Sequence, residues 1–138
     1  MCGLTNLLQP TDGCEIILLT ILIKQLQYIE NTKLMNSYSK MYICIKASIP
    51  SHKVLGAAHG VLIAHLRFQF RDDYSEWIRK SFRKVVCEVS DAEFEALKAE
   101  KDYIIVTESG LNSIETAIVF APRKDFPAHF KSFPLLKC

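Results

Sequence analysis

Residues 49–70 read IPSHKVLGAAHGVLIAHLRFQF, and their spacing decides the architecture expected of the whole chain. Pro50 opposes an earlier helix start, Ser51 is the expected N-cap, and apolar residues recur at Val54, Ala58, Val61 and Leu62. The pattern predicts a helix of about 18 residues. Leu55, Leu62 and Leu66 form a second apolar face, so burial on two sides, between a sheet and another helix, is expected. Gly56, Gly60 and Ala64 fall four apart on one ridge. A glycine inside a helix costs about 1 kcal/mol relative to alanine, so two on one ridge point to the close approach of another backbone, with a strand as the expected neighbour. Ser51, His52 and Lys53 stand at the amino end, where free backbone amides attract anions, and make that end the first candidate site.

Working outward, the chain has 138 residues, 49% hydrophobic and 23% charged, which is the composition of one ordinary globular domain with a real core. The net charge of +2 is unevenly spread: residues 46–84 carry eight bases against Asp72, Asp73 and Glu76, and residues 85–115 carry two bases against eight acids. A basic middle beside an acidic stretch is compatible with a polyanion on one face, and helix-surface charge alone would look the same. The five cysteines, Cys2, Cys14, Cys44, Cys87 and Cys138, form no CxxC pair and are odd in number. Cys44 and Cys87 fall in apolar strand-like runs as small hydrophobes, so a reducing, cytoplasmic setting is expected. No metal is expected, because His52, His59, His65 and His129 show no ligand spacing with the cysteines, and no other cofactor is implied.

Residues 16–23, IILLTILI, are strongly apolar but far short of the roughly 20 residues of a membrane-spanning helix, so no membrane association is expected. No basic stretch opens the chain and no small-residue cleavage site follows, which argues against a secretory leader. Helical spacing continues through Leu26 and Ile29, predicting a helix over 14–31 that contacts the domain or a partner subunit, with a homodimer expected. Residues 31–40 read as a polar linker, so 1–40 form an extension on a domain of residues 41–138. In that domain MYICIKA (41–47) predicts a central first strand, followed by the long helix. Asp73 with Glu76 predicts a capped second helix carrying Trp77, Ile78 and Phe82, and KVVCEV (84–89) a second strand. Ser90 with Glu93 is a clear capping box opening a helix to about Lys101. YIIVT (103–107), a turn through Gly110, IETAIVFA (114–121) and a short helix over 125–131 complete the order. The expected fold is a three-layer α/β sandwich with a mixed four-stranded sheet.

Strand MYICIKA, a helix containing AAHGVLIAH, strand KVVCEV with the DAEFEAL helix, and YIIVTESGLNSIETAIVFAP together resemble the second-type peptidyl-tRNA hydrolases of archaea and eukaryotes over residues 41–122. That family carries a Lys-x-Ala-Ala-Gln-x-x-His-Ala helix and a later Asp-Ala-Gly-x-Thr turn. Placing Ala57 and Ala58 on the alanine pair puts His59 on the glutamine, Leu55 on the functional lysine and Leu62 on the histidine, so most of the helix-borne polar groups are missing. At the turn, Glu108 replaces the aspartate and Asn112 the threonine.

The resemblance implies water attack on the ester that joins a peptide to the terminal ribose of a tRNA, which needs a group to activate water and a group to stabilise the oxyanion. Glu108 is the implied acid/base, Asn112 or Ser113 its hydrogen-bonding partner, and Lys53 with the amides near Ser51 the positive end. Ser51, His52, His59 and Ser113 are then substrate contacts, and tRNA or a small molecule the partner. Each has a plainer reading: Glu108 as a solvated turn acid, Asn112 as a turn former, Lys53 as a surface lysine, His59 as a core or edge histidine. Three functions stay open: a divergent family member that binds without hydrolysing, an active hydrolase using Glu108, and an assembly module built on residues 16–23. The hydrolase comparison requires the amino end of the glycine-ridged helix and the bend after YIIVT to meet at one rim of the sheet.

Overall fold

The computed structural model describes residues 13–137, the side chains of Cys14 and residues 34–37 excepted; Cys2, Cys138 and the opening residues in which no leader was read lie outside the described residues. The described chain falls into two compact units, one ending at Ser37 and the other beginning at Tyr38. The first is a single helix, α1 (Gly13–Ser37), which runs through residues 31–37 where a polar linker was expected. Lys24, Gln25 and Lys33 are as helix-compatible as any apolar residue, and nothing in NTKLMNS breaks a helix. Its apolar side chains, Ile16 to Ile29, lie on all sides of the axis and are exposed within this unit. No helix among the described residues is long and apolar enough to cross a membrane.

The second unit is α/β, with elements in the order β1 (Lys40–Lys46), α2 (Lys53–Phe68), α3 (Asp72–Lys80), β2 (Arg83–Val89), α4 (Asp91–Leu97), β3 (Tyr103–Glu108) and β4 (Ile114–Phe120). The four strands make one open mixed sheet in the order β2-β1-β4-β3. β1 and β2 are parallel, because the α2–α3 crossover joins them, while β4 is antiparallel to both of its neighbours. The carboxyl ends of β1, β2 and β3 and the start of β4 therefore share one rim. Because only six residues separate the end of β1 from the start of α2, its amino end lies at that rim too. The free edge of β2 is covered by the tail, whose Pro134 carbonyl accepts from Glu88 N–H at 2.8 Å and whose Leu136 N–H donates to the Val86 carbonyl at 2.9 Å.

Alternation along the strands builds two cores. Met41, Ile43, Ile45, Val106, Ala117 and Val119 face α2 and α3, which contribute Ala64, Phe68, Tyr74 and Trp77. Tyr42, Cys44, Cys87, Val89, Ile118 and Phe120 face the other way, onto Phe94 and Leu97 of α4 and Phe130 and Phe133 of the tail. The glycine ridge does what its spacing predicts: Gly56, Gly60, Ala64 and Phe68 are the buried residues of α2. A Cβ on Gly60 would lie 2.7 Å from Val119 Cγ2, so only glycine lets the helix sit this close to the sheet. One irregularity matters at the rim. β3 and β4 pair Val106 with Ala117 and then Thr107 with Glu115, so Thr116 is an extra residue in β4. Thr116 is buried on the α2 side, its Oγ1 donating to the Val106 carbonyl at 3.2 Å, while Glu115 turns to the opposite face and meets Lys98 Nζ at 2.6 Å.

Four expectations are corrected. The N-cap of α2 is His52, in the left-handed region at φ 65°, and the first helical bond runs from Gly56 N–H to its carbonyl; Ser51 is exposed outside the helix. The second apolar face of α2 is not buried by a further helix: Leu55, Leu62 and Leu66 are exposed, because α3 packs beside the carboxyl end of α2, through Tyr74 and Phe68. α3 is not capped by Asp73. Arg71 is the N-cap residue, and Asp73, inside the first turn, takes a bidentate pair from the Arg71 guanidinium at 3.0 and 2.7 Å. The last helix is a short 3-10 turn, Ala128–Ser132, begun by Pro127. The Ser90 capping box, by contrast, is complete in both directions, although its helix ends at Leu97.

Candidate functional site

Three elements meet at the rim. β3 ends on Glu108, a 3-10 turn Ser109–Leu111 follows, and Asn112 and Ser113 both take φ 58° before β4 begins. Asparagine tolerates this left-handed conformation, and the Ser113 N–H closes the turn on the Glu108 carbonyl at 2.9 Å. This tight return folds the Glu108 side chain inward. Its Oε1 accepts from Gly110 N–H at 3.3 Å, and only 12% of the side chain is exposed. Across from it, on α2, stands His59, with Nδ1 3.3 Å from Glu108 Oε2. The imidazole is 44% exposed, so the pair has a buried carboxylate end and a wet imidazole end.

Glu108 Oε2 is buried and has no aligned hydrogen-bond partner among the described residues, the nearby Nδ1 being off the hydrogen-bonding direction. A buried carboxylate oxygen left in this state is costly unless something else uses it. Such loose geometry between an acid and a histidine is common in sites whose hydrogen bonds tighten when substrate arrives.

The other nominated residues are distributed differently. Lys53 opens α2 at the same rim, but its Nζ holds Glu88 Oε1 at 3.3 Å, each side chain 27% exposed. Glu88 lies on β2 and Glu108 on β3, the two edge strands, so β1 and β4 lie between them, at about 4.8 Å per strand spacing. Lys53 and Glu108 thus belong to two separate pairs. Ser51 and His52 are exposed in the loop before α2, and Asn112 and Ser113 are exposed in the turn after Glu108, none with a side-chain hydrogen bond to the pair among the described residues. The basic segment is largely occupied internally. Besides Lys53, Arg71 holds Asp73 and Asp102, Lys80 holds Glu76, Lys46 lies 4.5 Å over the Phe94 ring and Lys84 3.1 Å over Phe82.

A scan against protein-family models and a search of curated proteins find no match for this chain. Its chemistry is therefore read from the side chains. No cluster of three or more histidine, cysteine, aspartate or glutamate residues able to hold a metal ion occurs among the described residues. What stands at the rim is an imidazole backed by a carboxylate, an arrangement suited to taking a proton from water. The partnership of His59 with Glu108 spans 49 positions and no local motif announces it; the usable signal was the ridge, since His59 directly precedes the glycine that seats α2 on Val106 and Val119. Glu88, the partner of Lys53, was equally hidden in an apolar strand run.

Proposed function

We propose that residues 38–138 form a divergent peptidyl-tRNA hydrolase-like domain that cleaves an acyl ester, with His59 as general base and Glu108 as the residue that orients it. The observation that carries this reading is the 3.3 Å approach of His59 Nδ1 to a carboxylate oxygen that is buried and otherwise unpartnered. The order of elements and the mixed sheet are those the family resemblance implies. In this mechanism Glu108 accepts from Nδ1–H, which leaves Nε2 free to take a proton from water. The water oxygen bonds to the ester carbonyl carbon, the bond from that carbon to the ribose oxygen breaks, and the proton passes from Nε2 to that oxygen, which leaves as a hydroxyl. RNA as the carrier of the ester and a cytoplasmic setting go with this reading.

The test is release of tRNA from an N-acetylaminoacyl-tRNA by the purified full chain. Glu108→Gln and His59→Asn each lower the rate by about 100-fold or more, the usual worth of a positioned acid–base group. A His59→Asn protein that hydrolyses at the parent rate refutes the assignment. The second reading, a domain that binds and does not cleave, is favoured by the commitment of Lys53 to Glu88. Tight binding of the same RNA with no release by the unmodified protein selects it.

A further inference from the structure

We infer that the acyl group accepted at this rim is apolar, held by Leu55, Leu62 and Ile63 of α2 and Ile114 of β4 around His59 and Glu108. The inference rests on the hydrolase reading and names its substrate class. On a helix, residues three and four apart are neighbours, so Leu55, Leu62 and Ile63, at positions −4, +3 and +4 from His59, surround the imidazole on the helix surface. They are 43%, 60% and 39% exposed, in contrast to Gly56 and Gly60, which are buried against the sheet. Ile114 pairs directly with Glu108 across the β3–β4 ladder, and cross-strand partners share a face of the sheet, so Ile114 stands beside Glu108 on the α2 side, 45% exposed. Apolar side chains therefore come to one histidine–carboxylate pair from two different elements.

Charge points the same way. Between Lys53 and Arg67, α2 carries no acid and no base other than histidine, and the nearest fixed charge to His59 is the carboxylate of Glu108. An acidic acyl group would meet repulsion and gain no partner there, while a leucyl or phenylalanyl group would cover the exposed side chains. A second copy of the chain is the competing occupant of the Leu55–Leu62 face. One helix face with a few apolar residues falls short of the roughly 800 Å² per partner and 20 or more residues that a stable interface uses.

The experiment compares kcat/KM of the full chain for tRNA charged with N-acetylphenylalanine and with N-acetylaspartate. A preference of about tenfold or more for the phenylalanyl ester is expected, the scale of burying part of one apolar side chain. Leu55→Asn and Ile114→Asn each shrink that ratio toward one, whereas Leu66→Asn, two turns beyond His59, leaves it in place. All these positions are exposed, so the substitutions spare the cores. Equal rates for the two esters overturn the inference while leaving hydrolysis standing. Absence of hydrolysis with either ester removes the hydrolase reading and this inference with it. A drop from dimer to monomer in sedimentation of Leu62→Asn identifies the face as a subunit contact and likewise overturns the inference.

Discussion

The seat of α2 on the sheet can be measured by comparing alanine at its two ridge glycines. Alanine in a helix interior is favoured over glycine by about 1 kcal/mol. At Gly56 that gain is unopposed, because the new Cβ meets only Thr116 Oγ1 at 3.7 Å, an ordinary contact; Gly56→Ala is expected to stabilise by about 1 kcal/mol. At Gly60 the Cβ would lie 2.7 Å from Val119 Cγ2 and 3.3 Å from Val106 Cγ2. Both valines are fully buried and stiff about χ1, so the helix must lift, at an overpacking cost of about 1–3 kcal/mol. Set against the same helix gain, Gly60→Ala is expected to be destabilised by about 0–2 kcal/mol, leaving the two variants separated by about 1–3 kcal/mol. Urea unfolding followed by fluorescence suits the comparison: the chain has one tryptophan, Trp77, buried in the core beside α2, so the signal reports this unit. Equal stabilisation by both substitutions would show that no backbone-close contact exists at Gly60. The placement of His59 against Glu108 would then lose its support.

Other consequences are open to measurement. Ser90→Ala removes the side-chain half of a complete capping box, and chemical denaturation should show a loss of about 1 kcal/mol. The Arg71 guanidinium holds the Asp73 carboxyl below its ordinary value of 3.8. Because the native value is the lower one, the pair contributes stability above pH 3.8 that disappears as pH falls through the native value, and Asp73→Asn should flatten that acid limb by no more than about 1 kcal/mol, since both side chains are over a third exposed. The Cys44 thiol is pushed up by the Cys87 thiol 3.5 Å away and by burial, and it should resist alkylation in the native state; Cys87, fully buried, should be shielded by access alone, both reacting only on unfolding, read out by peptide mass mapping. Fast native labelling at Cys87 would contradict its burial.

Much of the domain was legible because local rules and global packing agree. Strand alternation, the Ser90–Glu93 box and the Gly56–Gly60–Ala64 ridge each specify a local structure that the tertiary fold keeps. The leucine face of α2 was misread because periodicity reports that a face is apolar and not what lies opposite it. Asp73 had the position of a cap, but Arg71 two residues earlier supplied a stronger partner, a charge-assisted bidentate pair. Pairings of Lys53 with Glu88 and of His59 with Glu108 cross 35 and 49 positions, and they are set by strand order, which no short spacing encodes.

The inserted residue in β4 acts as a phase switch for this corner of the molecule. Upstream of Thr116 the strand has been advanced by one step, which is why Ile114 sits beside Glu108 and Glu115 reaches Lys98. Excising Thr116 would remove the bulge and leave Glu115 and Ile114 on the faces they now occupy, still paired with Thr107 and Glu108 in an unbroken ladder. Flattening the bulge with the residue kept, so that Thr116 pairs with Thr107, would instead bring Glu115 next to Glu108 and Ile114 next to the Lys98 ammonium, and the greasy wall of the histidine would become a like-charged carboxylate pair.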